Sequence, residues 1–134
     1  MSKKATVIPF KAEAHPISFV YTRSFERDAR RVFTNEELTG LLNYISANPD
    51  KGARLVGGSG LRKMRWKANG FGKSGGARVI YYFRDLNMPL LLLAVYPKNE
   101  RADLSKKEIA AIEQKMRHIV DAFCGVRQQR RVSA

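Results

Sequence analysis

Apolar residues recur along this chain with two different periods, and the period changes near residue 61. Before it, "SFERDARRVF" places Phe25, Ala29, Val32 and Phe33 on one helical face, and "TNEELTGLLNYISANP" spaces Leu38, Leu41, Leu42 and Ile45 in the same way. Thr34 and Glu37 stand in capping-box spacing at the start of the second run, where hydroxyl and carboxylate can each take a backbone N–H. Asn48-Pro49 ends that helix. From residue 61 the period is two. "LRKMRWKA", "ARVIYYFRD" and "LLLLAVYP" read as three strands with short connections, which suits an antiparallel meander. "ISFVYT" at 17–22 is β-branched and aromatic and reads as a strand ahead of the helices. A last helix opens at Ser105 with a second capping box to Glu108, and Ile109, Ile112, Met116, Ile119 and Phe123 form its stripe.

The expected order is therefore β-α-α-β-β-β-α. Amphipathic helices need an apolar partner, and a sheet face supplies one, so the expected class is α+β: a mainly antiparallel sheet packed against helices. Residues 1–16 mix charge, Ala and two prolines without periodicity and read as a flexible arm. The domain is expected over 17–124, followed by a basic tail at 125–134.

Charge changes the picture most. The chain has 134 residues with 25 Lys and Arg against 12 Asp and Glu, a net charge of +13. Such an excess on one small domain points to a polyanionic partner, nucleic acid first. One cysteine, Cys124, excludes an internal disulfide and a cysteine metal cluster. The N-terminus lacks an apolar stretch of signal-peptide length, and "LLLLAVY" is too short to cross a bilayer. A cytoplasmic protein with no membrane partner is expected.

The glycine-rich stretch "KANGFGKSGGARV", residues 67–79, invites a phosphate-loop reading, but the residue five before Gly72-Lys73 is Lys67 where that motif needs Gly. The stretch also leads into a strand, whereas a phosphate loop opens a helix whose N-terminus meets the anion. It reads as a hairpin connection with Lys73 at its tip.

Its flanks carry more chemistry than its glycines. From Lys51 to Arg84 there are nine Lys and Arg and no Asp or Glu. Alternate strand residues share a face, so Lys63, Arg65 and Lys67 project together, and so do Arg78 and Tyr82. Tyr81 points the other way, and Trp66, alternating with the basic residues, reads as core. A positive surface interrupted by aromatic rings suits a phosphate backbone with bases to stack.

The runs "NPDKGARLVGGSGLRKMRW", a Gly/Lys loop, "GGARVIYYF" and "YPKNERADLS" together resemble the RelE-type toxins of bacterial toxin–antitoxin pairs, most closely the HigB-like branch. The resemblance covers about residues 17–123 and implies the RelE/ParE-like fold. It implies a ribosome-dependent endoribonuclease that cuts messenger RNA in the decoding site, using neither metal nor other cofactor. It also implies a cognate antitoxin, often a helix-turn-helix protein encoded beside the toxin. Residue by residue, it implies Lys63 and Arg65 as the basic pair on the second sheet strand, Arg78 as the arginine of the next, and Lys98 as the lysine of the following turn. These four form the expected catalytic set, with Lys67, Lys73, Arg62, Tyr82 and Asn99 as RNA contacts. Two departures stand out: Asn99 occupies a position where the family carries Arg, and "RADLSKKEIAAIE" lacks the family's C-terminal catalytic Tyr.

Cleavage by the ribose 2′-hydroxyl needs alignment, a cation for the phosphorane and groups that move two protons. Arg78 suits the charge, because its planar fork grips two phosphate oxygens and stays protonated. The two histidines, His15 and His118, fall in the arm and on the last helix and read as surface residues. A lysine crowded by cations can exchange protons near neutrality, which nominates Lys98, Lys63, Lys67 and Lys73. Two other functions remain open: from the residues, a basic module that binds nucleic acid without cutting it, and from the resemblance, a ParE-like toxin that inhibits gyrase.

Overall fold

Both capping boxes form, and each fixes where a helix begins. The Thr34 hydroxyl accepts from Glu37 N at 3.1 Å while Thr34 N donates to the Glu37 carboxylate at 3.0 Å. Ser105 and Glu108 repeat the exchange at 2.8 and 3.1 Å. The computed structural model describes residues 5–11, 16–57, 59–72 and 75–133, with side chains described over 17–57, 59–72 and 75–125.

The elements run β1 (Ala5–Lys11), β2 (Pro16–Thr22), α1 (Arg23–Val32), α2 (Asn35–Ala47), β3 (Ala53–Arg54), β4 (Arg62–Trp66), β5 (Ala77–Tyr82), β6 (Leu90–Pro97) and α3 (Lys106–Ser133). The class is α+β, as expected, with one six-stranded sheet in the order β1-β2-β6-β5-β4-β3. Three differences from the expected order have physical reasons. The arm reading fails over Ala5–Lys11, which pairs antiparallel with β2 as an edge strand, a place where the Pro9 inside it is tolerated. The two-residue β3 is too short to leave a periodic signal. The expected basic tail continues α3 to Ser133.

The sheet is mixed rather than a pure meander. Phe19, Val20 and Tyr21 pair in parallel with Leu90, Leu91 and Leu92, so β6 lies between β2 and β5. Such a central strand is buried on both faces, which is why "LLLLAVY" shows no alternation. A bulge sits opposite Ile80/Tyr81, where the pairing skips from Ala94 to Leu92. An all-apolar strand permits it, because either register leaves apolar side chains on both faces.

Each face of the sheet carries its own core. On one, α1 and α2 lay Phe25, Ala29, Val32, Leu41 and Ile45 against Phe19, Val79, Tyr81 and Leu92. Trp66 packs here too, donating its indole N–H to Glu37 O at 2.8 Å, so it is core as its alternation implied. On the other, α3 lays Met116, with Ile109, Ile112, Ile119 and Phe123, against Ile80, Leu91, Leu93 and Tyr96. The α3 side of β4 and β5 is where the candidate site lies.

Candidate functional site

Strand register brings three residues into a lateral row. Arg65 on β4 lies opposite Arg78 on β5, and Arg78 lies opposite Tyr96 on β6. Alternation puts the row on the α3 side, since Ile80 and Tyr96 both belong to that core. Lys63, two residues from Arg65, shares the face and pairs with Ile80. The chemistry therefore comes from a sheet, a rigid support, and not from a loop.

Arg78 is only 6% exposed although it carries a full charge. Its guanidinium donates to Gly75 O and Ala77 O, both at a long 3.4 Å. Among the described residues no carboxylate lies within ion-pair distance of Arg78 or Arg65. The glycine loop thus has a definite role at its β5 end. Gly75 and Gly76, at φ of 83° and 72°, turn the chain so that a loop carbonyl faces Arg78. Lys98 N donates to Gly76 O at 3.0 Å, continuing the β5–β6 ladder one step and setting Lys98 beside the loop base.

The remaining expected residues divide. Lys63 Nζ lies 3.4 Å from Asp103 Oδ1, so a stretch free of acids in sequence receives one in space from the turn before α3. The crowding by cations alone that nominated Lys63 as a proton carrier is therefore broken at that residue. Lys67, Lys98 and Asn99 are exposed, and Tyr82 is half-buried against the α3-side core, its ring 3.2 Å from where a Cβ on Gly60 would sit. Arg62 faces the other way, paired with Tyr81, and spends its guanidinium on Asp50 O at 3.0 Å and Gly52 O at 2.8 Å. Lys73 and His15 lie outside the described residues. His118 is exposed on α3, lining a groove with Thr22, Ser24 and Ile119 that none of the row shares.

The family model for the RelE toxin of RelE/RelB toxin–antitoxin systems matches residues 17–125. The chain belongs to the RelE toxin family. That match spans β2 from Ile17 through residue 125 within α3 and leaves out the β1 edge strand. As a RelE-family toxin the protein has a cognate antitoxin as its implied partner. Among the described residues no group of His, Cys, Asp and Glu is arranged to hold a metal, and no helix is long and apolar enough to cross a membrane.

Three residues near the row, Tyr96, Arg101 and Glu108, escaped the sequence reading as site residues, although Glu108 reads there as a helix cap. Tyr96, 6% exposed, ends the apolar run "LLLLAVY" and so reads as one more core residue. Burial pushes its phenol up, Asp103 adds to this, and Arg78 and Arg101 oppose it. Arg101 stacks its guanidinium over the Tyr96 ring at 5.8 Å from the centroid. Glu108 is tied to Arg101 and to Ser105 N, and those bonds, Arg101 first, hold its carboxyl down at about 2. A signal existed in "YPKNERADLS", where Tyr, Arg and Asp recur within one turn, but spacing alone does not say that the chain folds back over β5.

Proposed function

We propose that this RelE-family toxin is an endoribonuclease of the HigB-like branch that cuts messenger RNA in the ribosomal decoding site, through attack of the ribose 2′-hydroxyl on the adjacent phosphorus. The observation that carries the reading is the Arg65–Arg78 opposition. Two arginines are partners across β4 and β5 on one rigid sheet face, with no carboxylate among the described residues on either, a pairing that favours an anion at this face. Arg78, backed by loop carbonyls, neutralises the phosphorane. Arg65, Lys63 and Lys98 hold the flanking phosphates, with Lys67 and Asn99 farther along the strand and Tyr82 beside it, and Lys73 is a further contact proposed from the sequence. Cations fixed on a rigid sheet stabilise developing charge without reorganising, and such preorganisation supplies much of the acceleration. The family resemblance supports the ribosome as the surface that bends the messenger into line, a cytoplasmic site of action, and a helix-turn-helix antitoxin encoded nearby.

The test is a translation extract programmed with a defined messenger, its 5′ ends mapped by primer extension. Wild-type protein produces discrete new ends only when ribosomes are loaded. Arg78→Ala, melting like the wild type, loses ~100–1,000-fold in cleavage. Ends that persist undiminished in Arg78→Ala contradict the assigned site. RNA retained on the protein with no new ends points to a binding module, and supercoiling defects without RNA cleavage point to gyrase.

A further inference from the structure

We infer that Tyr96 is the proton donor to the leaving 5′-oxygen, an inference that rests on the endoribonuclease reading above. Its ring closes the lateral row beside Arg78, and Arg101 fixes that ring from the solvent side. Its hydroxyl makes no hydrogen bond to any described residue, yet no described buried side-chain oxygen or nitrogen lacks a partner. The Tyr96 Oη is therefore not sealed inside the core, although the residue is 94% covered. A hydroxyl with no partner among the described residues, one strand from a cation that faces no described carboxylate, is placed to donate to a phosphate ester.

Of the other groups around the row, the arginines, Glu108 and Lys63 are poorly placed to supply this proton. Arginines do not give theirs up. Glu108 is ionised at neutral pH and tied to Arg101 and Ser105 N. Lys63 is paired with Asp103. Tyr96, shifted upward by burial, keeps its proton at neutral pH until an alkoxide more basic than itself develops alongside.

The step balances as follows. The 2′-oxygen bonds to phosphorus and releases its proton to water. The phosphorus–O5′ bond breaks with its electron pair on O5′, which takes the proton from Tyr96 Oη. The ends are a 2′,3′-cyclic phosphate and a 5′-hydroxyl, and water returns a proton to the phenolate.

Tyr96→Phe keeps the ring and its contact with Arg101 and removes only the hydroxyl. On ribosome-bound messenger we expect its cleavage to fall ~100–10,000-fold with an unchanged melting temperature. A messenger whose scissile 5′-oxygen is replaced by sulfur needs no protonated leaving group, and on it Tyr96→Phe should cut at close to the wild-type rate. Full activity of Tyr96→Phe on ordinary messenger overturns the inference. So does an equal loss on both messengers, which assigns the hydroxyl to binding. Failure of the wild type to cut either messenger removes the endoribonuclease reading, and the proton-donor role with it.

Discussion

Glu37 holds Gly70 through a hydrogen bond of 2.9 Å from Gly70 N to its Oε2, while its other oxygen caps α2 through Thr34 N. One carboxylate thus starts a helix and anchors the leading end of the glycine loop. Only glycine fits at position 70, because a Cβ there would collide with Thr34 Cγ2. Glu37→Ala should cost about 1–3 kcal/mol, the range of a lost cap together with an unsatisfied N–H. Hydrogen exchange at Gly70 should speed up in that variant, while β5 amides stay protected.

The same carboxylate sets an acid limit. Burial alone would raise the Glu37 pKa, but N–H groups of Thr34, Gly70 and Asn69 and the Thr34 hydroxyl outweigh it and lower it. A carboxyl depressed in the folded state adds stability above its unfolded value of about 4.3 and loses that contribution as pH falls through the lower folded value. The melting-temperature gap between wild type and Glu37→Ala should therefore be full at neutral pH and narrow progressively below about pH 4.3. A gap that stays constant down to acid-induced unfolding contradicts this.

Tyr81 bonds the connection after α2 to the sheet through its hydroxyl, which donates to Pro49 O at 2.8 Å and accepts from Gly52 N at 2.9 Å. Tyr81→Phe leaves both backbone groups unpaired and should lower stability by about 1–3 kcal/mol by denaturant unfolding. Gly52→Ala should damage the same joint, since its Cβ would sit 2.6 Å from the Tyr81 hydroxyl. Burial raises the Tyr81 phenol above the ordinary range, so spectrophotometric titration of Tyr81→Phe should lose a late-titrating component.

Salt dependence separates bound phosphates from structural cations. Each phosphate contact on single-stranded RNA adds roughly 0.7 to the slope of log affinity against log salt. Removing Arg65 or Lys98 should each reduce that slope by about 0.7. Arg62→Gln should leave the slope unchanged and lower the melting temperature instead, because Asp50 O and Gly52 O lose their donor. Equal slope changes for Arg62 and Arg65 would erase the distinction between the two faces of β4.

Arg78 is held at a cost to stability. The Arg78 guanidinium is buried with two long bonds to carbonyls, and its partner across the ladder is another arginine, the exposed Arg65, so its charge is weakly compensated. Arg78→Met should raise the melting temperature at low salt, by the equivalent of about 1 kcal/mol, while cutting cleavage ~100–1,000-fold. Added salt should stabilise the wild type more than Arg78→Met, because screening relieves a repulsion the variant lacks.

Local patterns carried the helices, both capping boxes, the strands with alternation and the family, because each depends on residues a few positions apart. Thr34–Glu37 and Ser105–Glu108 are legible for that reason, and so is the common face of Lys63 and Arg65. Tyr96 was not, since an aromatic ending an apolar run looks the same whether it fills a core or closes a site.

What the sequence by itself determined was the α+β class, the basic surface and the strand that carries Arg78. Only the tertiary structure decided which residues stand beside it. Strand order, the parallel β2–β6 pair and the β6 bulge are set by pairing between segments distant in the chain, which leaves no periodic trace. That pairing turned Arg62 away from the site, put Arg65 and Tyr96 on either side of Arg78, and returned Asp103 to Lys63. Charge along a chain reports which partner is attracted, whereas register across a sheet decides which side chains can act on it together.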